Sequence, residues 1–266
     1  MAFHDKAAGR FWSLPRMPRR CFATFREYCP LEMIIFVAGT LLLLALICWS
    51  TFRSAVYLRA IPSSFNLRLL PAENAVRLFL IAVCIWLAQT SEQPYIRFGW
   101  SLAEPVRDLF LGCAIGIPVA LILPNLTQFA IARFGLHIYS PIVIRSILPR
   151  NPGEGLLVPL ALVGAVLLEE LLFRALLLGG FAFFAPPLVL AVLWSILFGV
   201  VHLPQGLLGI VVAALLGLLL SVLFLATASL LAPFVAHYTI NLVQIFRASR
   251  DKSWLKSYGE GTSQRS

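Results

Sequence analysis

Apolar residues run along this chain in stretches too long for the elements of a water-soluble core. Those at about 31–52, 75–90, 108–132, 156–184, 187–203, 207–226 and 230–247 fit the roughly 17–25 residues with which a helix crosses a bilayer. The segment from Phe134 to Pro149 is apolar too, but Pro141 and Arg145 break it, so it reads as a poor eighth span or a re-entrant piece. The expected fold is therefore all-α, a polytopic integral membrane helical bundle of about eight transmembrane helices. Within it, Pro186 and Pro187 start a helix, Pro204 ends one, and Gln205-Gly206 and Ala226 to Ser229 supply short turns. These signals fold the last part of the chain into a four-helix antiparallel bundle.

Composition agrees with the pattern. The 266 residues are 60% hydrophobic and 12% charged, with a mean hydropathy of +0.88, which excludes a soluble domain of this length. A net charge of +9 would suit nucleic acid, but the basic residues sit in two tails and the short loops, so the charge reports topology and no nucleic-acid partner is expected. Lys6, Arg10, Arg16, Arg19, Arg20 and Arg26 mark one tail, and Arg247, Arg250, Lys252, Lys256 and Arg265 the other. Both are expected in the cytosol, which requires an even number of crossings; eight is the expected count, with seven and six the others the pattern allows. The run Met33 to Trp49 looks like a signal anchor without a small-x-small cleavage site and is expected to remain as the first span. The loop at 53–74, with Arg53, Arg59, Arg68, Pro62 and Pro71, reads as an exposed or interfacial connection. The organisation is thus a basic cytosolic tail (1–30), N-terminal spans (31–150), a helical core (151–247) and a basic tail (248–266). Cys21, Cys29, Cys48, Cys84 and Cys113 are scattered and form neither a disulfide framework nor a thiolate metal site.

Charge inside the apolar runs carries the chemistry. Glu169, Glu170 and Arg174 interrupt the stretch from Leu156 to Phe184. Each ionised group near a bilayer centre costs about 2.5–3.5 kcal/mol, so all three must face protein or a wet cavity. On a helix Glu170 and Arg174 lie about 40° apart and suit an ion pair, whereas Glu169 lies about 140° from Arg174 and is left over. A buried carboxylate without a cation is suited to holding a water or a proton, the work of a general base. From Ala175 to Phe246 the chain has no Asp, Glu, Lys or Arg, leaving His202 and His237 as the groups that titrate near neutrality. Glu169 and His202 are 33 residues apart across the turn at Ala185-Pro186, so each lies about 25 Å from it and the two share a level. Phe198 and His202, and His237 and Asn241, are four apart and share a face of their helices; the last pair descends towards the same level.

Glu169-Glu170-x-x-x-Arg174, Phe198-x-x-x-His202 and His237-x-x-x-Asn241 resemble the CPBP family, which contains the CAAX endopeptidases that trim prenylated proteins and bacterial relatives linked to bacteriocin processing or immunity. The resemblance covers about residues 156–247; Ala226 stands where the family often has a basic residue. It implies an intramembrane endopeptidase that hydrolyses a peptide bond of a membrane-associated protein or peptide near the cytosolic face. Glu169 would activate the attacking water, His202 would help hold it, and His237 and Asn241 would stabilise the oxyanion. Glu170, Arg174 and Phe198 would support the site. The family has been described both as glutamic and as metallo-dependent. No H-E-x-x-H supplies preorganised ligands, so no cofactor is favoured; if zinc is present, Glu169, His202 and His237 would hold it.

Other readings use the same buried polar residues. A proton- or ion-coupled transporter could relay charge through Glu169 and the histidines, but the chain lacks paired broken helices in matching halves. A catalytically idle membrane scaffold could share the fold. Serine and aspartyl mechanisms lack their residues: there is no G-x-S-x-G, and no aspartate between Glu154 and Arg250.

Overall fold

Seven long α-helices and one short one are formed by the described residues. The structure is a computed structural model and describes residues 30–60, 66–91 and 93–250. Among these, α1 is Pro30–Ala60, α2 Pro71–Thr90, α3 Pro105–Phe134, α4 Ile142–Ile147, α5 Pro152–Glu170, α6 Pro187–Val201, α7 Gly206–Thr227 and α8 Leu231–Arg250. Proline opens α2, α3, α5 and α6, where its missing N–H costs nothing and its fixed φ favours a helix. Five helical stretches are long and apolar enough to cross a membrane, namely Leu31–Tyr57, Pro71–Thr90, Pro105–Phe134, Pro152–Phe183 and Leu203–Thr227. Their outward side chains, among them Phe79, Phe110, Leu160 and Leu215, are exposed apolar groups that suit a lipid surround. The protein is a multi-pass membrane bundle.

Three sequence expectations need correction. The segment 134–149 is not an eighth span: after Pro141 it forms only the six-residue α4, about 9 Å long, so the parity argument loses its eighth crossing. The loop at 53–74 is shorter than expected, because α1 runs to Ala60 and α2 already begins at Pro71. Arg53 is on α1, Arg68 is on a 3-10 turn at Leu67–Leu69 that faces inward, and Pro62 lies outside the described residues, as do both extreme tails. Finally, the helix of the Glu169 motif is not α-helical throughout. After Glu170 it widens into a π-helix over Leu171–Gly179, every residue of it buried, then tightens into a 3-10 turn at Gly180–Phe183.

The four C-terminal helices pack as the turn signals predict, with α6 against α7 and α5 and α7 each against α8. The N-terminal spans are not a separate layer. Helix α3 lies along α8, where Gly112 and Gly116 form a small-xxx-small seam: a Cβ on Gly112 would come within 2.8 Å of the Ala232 carbonyl oxygen, and one on Gly116 within 3.0 Å of that of Ala236. Helix α2 packs on α5, and the α1–α2 pair closes the remaining side. This closure turns the gap between α5, α6 and α8 into a walled chamber.

Candidate functional site

That chamber is a cavity of about 620 Å³, a size suited to a short peptide segment or a small ligand. Glu169 on α5, His202 at the end of α6, and His237 and Asn241 on α8 all line it. Four residues spread over 73 positions of sequence thus line one cavity.

The two carboxylates of the motif divide as helical phase requires. Glu170 is fully buried, and its Oε1 accepts a hydrogen bond from Arg174 Nη1 at 3.1 Å. Arg174, 1% exposed, also donates Nη2 to the Gly217 carbonyl at 3.2 Å and sets its guanidinium 4.9 Å from the Phe198 ring centroid. Glu169 is instead about one-third exposed to the cavity, and its Oε2 lies 3.6 Å from His237 Nε2. The 3.6 Å separation is too long for a hydrogen bond but within the range of charge attraction.

Each histidine is held by its other nitrogen. His202 Nδ1 lies 2.7 Å from the Phe198 carbonyl oxygen, which can only accept, so Nδ1 carries the proton and the neutral ring keeps its lone pair on Nε2. His237, 4% exposed, has Nδ1 2.7 Å from Glu170 Oε1. Glu170 therefore serves two partners, Arg174 and His237, and the supporting role expected of it extends directly to a site histidine. Phe198 fits the packing role expected of it: its ring lies 4.6 Å from that of His202, 4.9 Å from that of Phe173 and 6.0 Å from that of His237. Beneath these rings, the π-helix lets Phe173 and Arg174 both point into the core while Glu169 keeps its place on the wall.

Two arginines complete the wall, and sequence reasoning did not assign them to the site. Arg68 and Arg77 both line the cavity. Arg77 is paired with Glu73 at 2.9 Å and donates Nη1 to Asn74 Oδ1 at 2.7 Å. Arg68 has its pKa lowered, first by burial and then by the charge of Arg77, with Glu169 and Glu73 pulling the other way. Arg77 was legible: it is an arginine inside a predicted span, and the cost argument applied to Glu169 applies to it equally. Among the described residues no group of three His, Cys, Asp or Glu stands close enough to hold a metal ion, so no chemical step below is routed through one.

Carboxylate, imidazoles and carboxamide around a chamber within a membrane bundle define a class of membrane protein with a polar acid–base cavity. Residues 151–243 match the family model described as Type II CAAX prenyl endopeptidase Rce1-like, in agreement with the CPBP resemblance of the three motifs. The matched segment contains Glu169, Glu170, Arg174, Phe198, His202, His237 and Asn241, and excludes Arg68 and Arg77. No curated protein and no solved structure matches the chain.

Proposed function

We propose that the protein is an intramembrane endopeptidase that cuts a membrane-associated protein or peptide with a water activated by Glu169, without a metal. The observation that carries this reading is the division of labour between adjacent acids: Glu170 takes Arg174, and Glu169, with no salt-bridging Arg or Lys among the described residues, faces the cavity beside His237. A carboxylate so placed can take one proton of a water whose second hydrogen is held by the lone pair on His202 Nε2. The oxygen then attacks the peptide carbonyl carbon, and the resulting oxyanion is met by the Asn241 amide. His237 already gives its Nδ1 proton to Glu170, so it can donate to the oxyanion only when both its nitrogens are protonated. Glu170 is the anion that balances that charge. When the tetrahedral intermediate breaks down, the proton on Glu169 passes to the leaving amine, which restores the base. The scaffold and transporter readings draw no support from the family match.

The test is quantitative proteomics of cells carrying wild type or Glu169→Gln. Fragments produced only by wild type are expected, and turnover of the identified substrate should fall by about 10²- to 10⁴-fold in the variant. Because Glu169 is partly exposed and makes no close ion pair, its variant should accumulate and melt as wild type does. Undiminished cleavage by a folded Glu169→Gln protein would end the proposal.

A further inference from the structure

We propose that Arg68 and Arg77 form a carboxylate-binding subsite in the Glu169 cavity, so that the peptide to be cut is recognised through a carboxylate near its scissile bond. This rests on the protease reading for the nature of the ligand, and on separate observations for the subsite.

The first observation is an unused donor set. Arg68 Nε is sealed from solvent with no hydrogen-bond acceptor, and among the described residues the Arg68 side chain makes no hydrogen bond at all. A sealed donor without an acceptor is costly, and the planar fork of the guanidinium matches the two oxygens of a carboxylate. The charge of Glu169 acts on Arg68, but Glu169 accepts no hydrogen bond from it, so among the described residues the fork has no protein acceptor.

The second observation is that the turn bearing Arg68 is built rather than loose. Asn66 Oδ1 accepts from the Arg68 backbone N–H at 3.0 Å, and Asn66 Nδ2 donates to the carbonyls of Ile147 and Leu148 at 3.0 and 3.2 Å. Asn74 Nδ2 donates to the Arg68 carbonyl at 3.0 Å, while Asn74 Oδ1 accepts from Arg77 Nη1. Asn74 therefore ties the two arginines into one unit. Arg77 has Glu73 as a counter-ion and reinforces the potential, and Arg68 supplies the free donors.

The third is position. The same cavity holds Glu169, His202, His237 and Asn241, so an anion on Arg68 and a peptide bond at Glu169 belong to one bound molecule. The carboxylate has two sources, the substrate's own C-terminus or an Asp or Glu side chain, and the probes below separate them.

The experiment measures binding, not cleavage, to the full-length protein in nanodiscs at low ionic strength. Three probes are used: acetyl-Leu-Ile-Val with a free carboxylate, the same peptide as its C-terminal amide, and acetyl-Leu-Asp-Val amide. The free acid is expected to bind wild type at least tenfold more tightly than the plain amide, and this preference should vanish in Arg68→Gln, shrink in Arg77→Gln and persist in weakened form in Arg68→Lys, which keeps the charge but not the fork. The Arg68→Lys variant guards against loss through misfolding. If the Asp-containing amide matches the acid, the recognised group is a side chain; if it binds as weakly as the plain amide, the group is a C-terminus. Either result supports the subsite. Equal binding of acid and plain amide, no binding of the acid, or a preference that survives both glutamine variants overturns it. The wild-type protein separates the two proposals: acid preference without any Glu169-dependent proteolysis in cells sinks only the protease reading, and such proteolysis without acid preference sinks only the subsite.

Discussion

Removing the buried charges one at a time and then together tests how Glu170 works. In Glu170→Gln, Arg174 keeps its charge at 1% exposure with no anion beside it, and breaking such a pair costs about 3–5 kcal/mol. Arg174→Met leaves the Glu170 carboxylate equally buried, with only His237 to answer it, and should cost a similar amount. In the double variant no formal charge remains. Its methionine still packs on Phe198, and the chief loss is the hydrogen bond to the Gly217 carbonyl, worth about 1 kcal/mol, together with a cation–π contact worth about 2 kcal/mol. The double variant should therefore be no less stable than either single one, a coupling of at least about 3 kcal/mol. Turnover should behave differently. The double variant restores packing but not the carboxylate on His237 Nδ1, so cleavage should stay about 10²- to 10⁴-fold down. Reversible unfolding in mixed micelles, followed by tryptophan fluorescence, gives the stabilities, and cleavage of the substrate found by proteomics gives the turnover. Additive destabilisation would show that the two residues are not a desolvated pair. Wild-type turnover in the double variant would show that His237 does not depend on Glu170.

Further outcomes follow from single sites. Asn241 makes no hydrogen bond to another described residue, so Asn241→Ala should lower turnover by about 10²- to 10³-fold with an unchanged melting midpoint; full activity would remove it from the oxyanion role. Gly116→Leu drives a side chain into the backbone of α8 at Ala236 and should destabilise by about 1–3 kcal/mol, whereas Gly155→Ala meets nothing within 4 Å and should be neutral or stabilising; equal effects in unfolding experiments would refute the close α3–α8 seam. Cleavage should survive a tight zinc chelator, and loss of activity restored by added zinc would refute the metal-free mechanism.

What could be read from the sequence was local. The Glu170–Arg174 pair needed only a separation of four residues, and the shared level of Glu169 and His202 needed only equal distances from one hairpin. The widening of the helix after Glu170 was hidden because its cause is tertiary. Gly179 and Gly180 leave no room for a Cβ beside the Arg97 backbone and the Phe36 ring, contacts that come from α1 and from the turn after α2. The bond between His237 and Glu170 was hidden for a related reason. Depth arithmetic brings His237 to the level of both acids, but only the rotation of α8 decides that one nitrogen meets Glu170 and the other faces Glu169. The segment 134–149, read as a poor eighth span or a re-entrant piece because Pro141 and Arg145 break it, has its helix confined to Ile142–Ile147, between Pro141 and Leu148.

The distribution of the cavity between matched and unmatched sequence bears on how such a protein chooses its target. Every residue assigned to bond cleavage lies within 151–243, the segment that carries the family pattern. The facing wall, with Trp49, Arg68 and Arg77, is contributed by α1, α2 and the turn between them. A base, two imidazoles and an amide can act on any peptide bond brought to them, because they contact only atoms common to all peptides. Discrimination must then come from surfaces that touch the rest of the substrate, and here α1, α2 and the turn between them supply one of those surfaces while α4 to α8 line the rest of the cavity. Exchanging α1 and α2 for those of another protein that matches the same family model should therefore change which protein is cut while leaving the requirement for Glu169 intact. If the exchange leaves the target unchanged, recognition resides in the C-terminal core.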